Sequence, residues 1–568
     1  MKQLQLLLHD RRRRQRGSVL SAVLIIVAFL SILIGALLTE LTDSFLVSRD
    51  LVSRVNTEAT VTSSVELAIH QLQGGPVPKV CAKDTRGPWF LTLNGHPAAV
   101  TQTCSAIVPD DAKSLALGFF PVDGIHDVVG GDRYLVGDAT GRLAAYPIGL
   151  FTPSWSINLG GALTAPPLTA AGPTGSVQIL VPVARSGGCG GHCVAVYSES
   201  SGTPSFQCYL AASTTVGTSP AAEVVPPGFG PNFAGHTFFG DDSGTLYVYD
   251  GDDTGCPQQV VATLSGRLAG APLVFPGKKI NSSVSDEVFV VVTGSSGTSL
   301  QHWRYNETTV CNGSDCEEQP PTLTQVSSQP LNGTNAVGYD TSGAAPTPSA
   351  PLGVAVATAS GRVDVARITV DSSRNYGMAS VASAMLPNGS VAARAPYWCH
   401  CPGQDLIGVG STNGFLYLLN TGLNVAYTYD GQPDGRPAIN STPTADSNGD
   451  WYFGANDGAV YDVEIPMSGT QLFKAARFGP SSGSITSSPI AAPCANDTCI
   501  YFGSSNAGSW YYRIGTTRVS DLRACVSNAA GSTTCTANPR LWARVQVGPA
   551  AGASGTPVSV QGWSFYSP

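Results

Sequence analysis

Two short stretches place cysteine beside histidine: Cys189, His192 and Cys193, and Cys399, His400 and Cys401. Thiolate and imidazole are the donors of a structural zinc site, yet neither stretch has the C-x-x-C spacing such sites use. The chain's fourteen cysteines, several only a few residues apart, fit short-loop disulfides in an oxidising compartment better. On that reading Cys189 pairs with Cys193, Cys311 with Cys316, Cys494 with Cys499 and Cys525 with Cys535. Cys81 with Cys104 and Cys208 with Cys256 can close longer loops, although spacing alone does not fix connectivity. Cys399 and Cys401 flank one residue, where a bridge would be strained, and are expected to pair elsewhere.

A second constellation is built from oxygens. In TADSNGDWYFG, Asp446, Asn448 and Asp450 alternate along a glycine-bearing loop, the pattern of a calcium loop. The position that should close such a loop with a carboxylate is Gly454, so a solvated Asp/Asn turn before a strand is the favoured expectation. Calcium is nevertheless the one cofactor for which the sequence offers ligands. The eight histidines are scattered without HExxH, and no GxSxG follows a strand, so no catalytic residue is assigned and no enzyme is expected.

These residues sit in a repeat. A small residue, a polar turn, Gly and an apolar-aromatic strand recur as GDATGRLAAY at Gly137, GDDSGTLYVYD at Gly240, GSTNGFLYLLN at Gly410, GANDGAVYDV at Gly454 and GSSNAGSWYY at Gly503. Weaker copies begin at Ser186, Thr293 and Ala357. Between them a small residue, Pro and an apolar stretch recur around Pro167, Pro220, Pro272, Pro351, Pro396, Pro443 and Pro489, mostly about 45 to 53 residues apart. Four short antiparallel strands at this period form the blade of a β-propeller. The fold class is therefore all-β, with eight blades, or seven if the Ser186 copy is decoration. An eighth proline copy at Pro557 points to closure of the first blade by a C-terminal strand around Val558 to Phe565. One long interval carries an insertion, and its stretch from about Asn306 to Gly343 is the expected recognition loop.

Bulk properties agree. The chain of 568 residues is 12% charged, with 64 Gly and 40 Pro, as suits a turn-rich β body. Its formal net charge of -8 is spread thinly, and the dense basic cluster, Arg11 to Arg14 with Arg16, lies at the N-terminus. The body has no nucleic-acid footprint.

That basic leader, residues 1–17, precedes an apolar run from Val19 to Leu38, long enough as a helix to span a bilayer. Apolar positions continue at helical spacing until Gly74, Gly75 and Pro76, so a long helix, membrane-spanning then amphipathic, is expected over 18–73. A linker over 74–119 and the propeller over 120–568 complete the expected organisation.

Arg14, Gln15, Arg16 and Gly17 followed by SVLSAVLIIVAFLSILIGALL resemble the N-terminus of class III-signal pilins, closest to PilX-type minor pilins and pseudopilins. The resemblance implies cutting by a prepilin peptidase between Gly17 and Ser18, with Arg16, Gly17 and Ser18 as the processing residues. It also implies packing with other pilin subunits through the assembly machinery. Ala22 stands where major pilins carry glutamate, which implies a low-copy or tip position. A plain signal anchor, left uncut, is the alternative.

The Pro and Gly-x-x-x-Gly repeats resemble quinoprotein-like propeller repeats, and the whole resembles PilY-type pilus tip proteins, which bind calcium in a loop like Asp446 to Asp450. Quinoprotein dehydrogenases imply a blade-locking tryptophan and adjacent cysteines. Here Tyr146, Tyr249, Tyr417 and Tyr461 take the tryptophan's place, Trp510 excepted, and no two cysteines adjoin, so a degenerate dehydrogenase is the weakest reading. The expected role is adhesion or protein and glycan binding at the cell surface, with the propeller outside the cytoplasmic membrane. A signal-anchored extracytoplasmic scaffold is the alternative.

Overall fold

The computed structural model describes the helix Val23–Glu40 and, with gaps of one to thirteen residues, 111–515. Of 41–110 and 516–568 it describes mainly the strands Asp84–Leu93 and His96–Cys104 and a few two-residue strands after 526. The leader, most of the expected amphipathic helix, and the prepilin residues Arg16, Gly17 and Ser18 lie outside the described residues.

Val23–Glu40 is helical, exposed along its length, and long and apolar enough to cross a membrane. Ser31 Oγ donates to the Val27 carbonyl at 2.8 Å and Thr39 Oγ1 to that of Gly35 at 2.9 Å. These hydroxyls are thereby satisfied inside the helix, as a lipid environment requires.

The body is an eight-bladed β-propeller. Blades 1 to 7 occupy 125–158, 162–211, 221–263, 267–330, 336–385, 397–430 and 444–478, and blade 8 occupies 490–515. In blades 1 to 7 strands consecutive in the chain pair antiparallel from the innermost outward, and in blade 8 the first three do so. Six of the proline signatures fall on or beside the innermost strands, while Pro351 directly precedes the second strand of blade 5, Leu352–Thr358. In blades 2 and 4, Pro166–Pro167 and Pro272, which lack an N–H for the ladder, split that strand into Ala162–Leu163 with Leu168–Ala171 and Arg267–Leu268 with Leu273–Pro276.

Side-chain alternation feeds the layers between blades. In Arg133–Gly137, Leu135 packs into the layer shared with blade 2, while Tyr134 and Val136 pack into the layer shared with blade 8. Both faces of the strand are buried, which is why it reads as a continuous apolar run.

The glycine motif performs two separate physical tasks. Its second glycine ends the turn between the second and third strands, with φ of +86° at Gly141, +84° at Gly244 and +84° at Gly414, a region costly for other residues. Its first glycine makes room for the next blade. A Cβ on Gly137 would fall on Leu163, one on Gly240 on Leu268, and one on Gly410 on Ile439. The same relation carries blade 8 onto blade 1, where a Cβ on Gly503 would stand 2.7 Å from Pro121.

Tryptophan also locks blades, away from the positions where the repeats suggested tyrosine. Trp398 of blade 6 packs over Gly353 of blade 5, and Trp451 of blade 7 over Gly408 of blade 6. Tyr146, Tyr249, Tyr417 and Tyr461 are buried in the blades, as core residues should be.

Ring closure differs from the sequence expectation. Asp111–Leu115 supplies the outermost strand of blade 8, with Asp111 opposite Arg513 and Leu115 opposite Ser509. Blade 1 has all four strands from its own stretch, because Ile125–Asp127, which carries no proline signature, is its innermost strand. Val558–Ser559 pairs instead with Gln546–Val547, and Phe565–Tyr566 with Leu541–Trp542. The Ser186 copy is a genuine blade turn, between Val177–Arg185 and Gly191–Glu199, so the seven-blade alternative falls. The insertion extends the outer hairpin of blade 4, with Gly297–Asn312 paired to Asp315–Pro330, and is regular strand where a loop was expected.

Candidate binding face

The turns between second and third strands, uniform and glycine-bound, lie on one side of the ring. The first-to-second and third-to-fourth connections lie on the other. Cys189, His192 and Cys193 sit at the glycine-turn side of blade 2, whereas the opposite side carries Cys399–Cys401, the Asp446–Asp450 turn and Cys494–Cys499. There the connections of five successive blades touch in an arc.

In blade 5, Asp340 lies on the innermost strand and Ser342 follows that strand. In blade 6, Tyr397–Cys401 and Gln404–Gly410 form a hairpin with the exposed turn Pro402–Gly403. His400 Nε2 contacts the Ser342 carbonyl at 2.7 Å, and Nδ1 contacts Asp405 Oδ1 at 2.9 Å. The Trp398 amide donates to Asp340 Oδ2 at 2.7 Å, tying the two innermost strands.

Blade 7 follows through the Asp446–Asp450 turn, where Gly449 faces Pro402. Asp446 Oδ1 accepts the amides of Asn448 at 2.9 Å and Asp450 at 3.1 Å. Its Oδ2 accepts Tyr452 OH at 3.2 Å and, from blade 8, Thr498 Oγ1 at 2.9 Å. The carboxylate therefore orders its own turn and fastens blade 7 to blade 8. Among the described residues no group of three or more His, Cys, Asp or Glu is placed to hold a metal.

Blade 8 contributes the Cys494–Cys499 disulfide across its first hairpin, with Cα atoms 5.8 Å apart. Beside it Tyr501 OH accepts the Gly149 amide of blade 1 at 3.0 Å. Blade 1 ends the arc with exposed Val128 and Val129 in one connection and Leu150 and Phe151 in the next. Clustered exposed apolar residues on a folded surface mark contact sites.

Two ionisable groups in the arc are displaced from their ordinary values. Burial pushes Asp340 up to about 6, although the amides of Trp398 and Thr341 and the neighbouring His400 pull the other way. His400 is raised, first by its hydrogen bond to Asp405 and further by the Ser342 carbonyl and the charges of Asp405 and Asp340. Asp340 and Asp405 belong to no sequence motif. They become visible only when blades 5 and 6 are laid side by side.

The cysteine expectations divide. Cys189 is joined to Cys193 and Cys494 to Cys499, so Cys189 and Cys193 are not free thiolates beside His192. Cys399 and Cys401, expected to pair elsewhere, are joined to each other with Cα atoms 5.1 Å apart. Alternation along the strand points residues two apart to the same side, which brings these sulfurs together. Cys208 is disulfide-bonded, and Cys311 stands opposite Cys316 in the blade 4 hairpin. Cys104 ends the strand His96–Cys104, while Cys81, Cys256, Cys525 and Cys535 lie outside the described residues.

Two further ionic clusters serve the scaffold. Arg133 Nε donates to Asp127 at 2.7 Å, and its terminal nitrogens donate to both oxygens of Glu199 at 2.8 and 2.7 Å, joining blades 1 and 2. Burial alone would lower its pKa, but these bonds raise it. His236 of blade 3 contacts Asp286 at 2.6 Å and Glu307 at 3.4 Å, both of blade 4, and its hydrogen bond lowers Glu307.

No protein-family model and no curated protein matches the chain. Among solved structures it is similar to BamB from Moraxella catarrhalis, at 13% identity and a TM-score of 0.41, over 72% of this chain and 98% of that one. It is also similar to Saccharomyces cerevisiae Sqt1, at 11% identity and a TM-score of 0.40, over 70% and 94%. What the described residues establish is the architecture, an all-β eight-bladed propeller preceded by an apolar helix fit to cross a membrane.

Proposed function

We propose that this chain is a low-copy, type IV pilin-like or pilus-tip component that displays its propeller outside the cell as a binding platform for protein or glycan, without enzymatic activity. The observation that carries the reading is the junction of a basic leader ending in Gly17 with the apolar helix Val23–Glu40 ahead of a closed ring. Its partners are the prepilin peptidase, other pilin subunits and assembly machinery, and the membrane before assembly. The ligand is met by the face running from His400 to Phe151, where two disulfide-bearing hairpins and exposed apolar tips lie on one side of the ring. Such loops, held by a rigid scaffold, are where binding residues concentrate.

N-terminal sequencing of the mature chain tests the tether. A start at Ser18, with a methylated amine, is expected, and an intact leader beginning at Met1 overturns the pilin reading. That outcome would point to the second reading, an uncut signal-anchored extracytoplasmic scaffold, for which the apolar helix Val23–Glu40 serves equally well as the anchor.

A further inference from the structure

We propose that the Cys399–Cys401 disulfide is a redox couple that accepts two electrons from a dithiol at the mouth of the ring. Cys494–Cys499 ties the innermost strand of blade 8 to the strand beside it, and Cys189–Cys193 ties a turn to the strand after it. Cys399 and Cys401 belong to one strand, Tyr397–Cys401, so their bond joins no two elements.

A structural role gains little from that bond. Entropic stabilisation by a disulfide grows with the loop it closes, and here a single residue intervenes. The strand is already fastened by pairing along its whole length with Gln404–Gly408, by Trp398 to Asp340, by Trp398 over Gly353 and by His400 to Ser342. A bridge across one residue also closes a small, strained ring, and strained disulfides are the more readily reduced. The pair adjoins the exposed turn Pro402–Gly403, and Cys401 with Gln404 is the last pair of the hairpin. Cys399 and Cys401 are 6% and 7% exposed, so access comes by fraying of that final pair, a local opening.

The exchange balances without a further reagent. A substrate thiolate attacks one sulfur, the Cys399–Cys401 bond breaks as a mixed disulfide forms, and the released thiolate takes up a proton. The substrate's second thiol loses its proton and displaces the mixed disulfide. The substrate leaves as a disulfide, and Cys399 and Cys401 remain as two thiols, having gained two electrons and two protons.

The full chain in detergent, equilibrated in glutathione buffers of graded ratio, alkylated and mapped by mass spectrometry, tests this. Cys399 and Cys401 should become half-reduced at a [GSH]²/[GSSG] ratio at least about 100-fold lower than Cys189–Cys193 and Cys494–Cys499, with near-ultraviolet circular dichroism unchanged. Reduction of Cys399–Cys401 together with Cys189–Cys193 and Cys494–Cys499, or only as that signal collapses, overturns the proposal. In single turnover, one equivalent of dithiothreitol or of a two-cysteine peptide should be oxidised per chain. Oxidation of the peptide points to a protein substrate and of dithiothreitol alone to a small dithiol, whereas oxidation of neither overturns the proposal. The C399S/C401S variant should keep the fold and lose this equivalent, and a variant that retains it overturns the assignment.

Discussion

Tyr134 of the first blade stacks on Tyr501 of the last, with ring centroids 4.6 Å apart. Both side chains are fully buried in one cluster with Tyr511, so the seam where the ring closes is packed as the other layers are. Replacing a buried aromatic with alanine costs about 3–5 kcal/mol. Tyr134→Ala should therefore lower the midpoint of chemical unfolding and open the seam between blades 8 and 1, seen as protease cleavage on either side of it. A change below about 1 kcal/mol would mean the seam contributes little.

The outermost strand of blade 8 comes from Asp111–Leu115. Deleting 111–115 should leave the strand ending at Gly515 unpaired on its outer side, lower the melting temperature and promote association through that bare edge. Removing 516–568 should leave the ring folded. Circular dichroism melting and sedimentation of the two truncations check the pair, and the reverse order of damage would contradict the observed closure.

The two motif glycines should respond differently. Gly414→Ala forces a side chain into a left-handed turn at φ +84°, a cost of about 1 kcal/mol. Gly410→Val drives a branched side chain into Ile439 of the next blade, an overpacking that costs about 1–3 kcal/mol or more. Urea titration should rank Gly410→Val as the more damaging.

The contribution of Asp340 to stability should fall as pH rises from about 4 to about 6. Burial raises Asp340 to about 6, so in that window the folded chain holds a proton the unfolded chain has released, and stability drops with rising pH. His400, also raised, adds stability that is present below its unfolded value and lost as pH rises through its folded value. Asp340→Asn keeps acceptors for the amides of Trp398 and Thr341 but cannot titrate. Melting temperature followed from pH 4 to 7 should fall in the native chain relative to the variant, and parallel curves would mean that Asp340 does not titrate in that window.

The eight blades were legible because their glycines answer fixed physical demands, a left-handed turn and a space for the next blade, and recur at a steady period. The closing strand was not. DAKSL at 111–115 has neither the proline nor the turn of the repeat, whereas the copy at Pro557 has the proline without the place in the ring. At the candidate face, Asp446 announced a polar turn, and its carboxylate caps that turn. The partnership of Asp340 with Trp398 and His400 arises between neighbouring blades, and no local spacing encodes it. The Cys399–Cys401 bond is not legible from spacing, because it depends on the strand alternation that places both sulfurs on one side.

Asp111–Leu115 is the first strand of the ring that the chain reaches after the apolar helix Val23–Glu40, and this bears on how the molecule would carry a mechanical load. Asp111 stands at the edge that bears the cross-linked hairpins, and the strand runs away from it toward the opposite face. Tension between an anchored helix and a ligand held by the ring enters the ring at Asp111. A pull directed along that strand loads the hydrogen bonds to Ser509–Arg513 together, in shear, where a pull across the sheet would peel them one at a time.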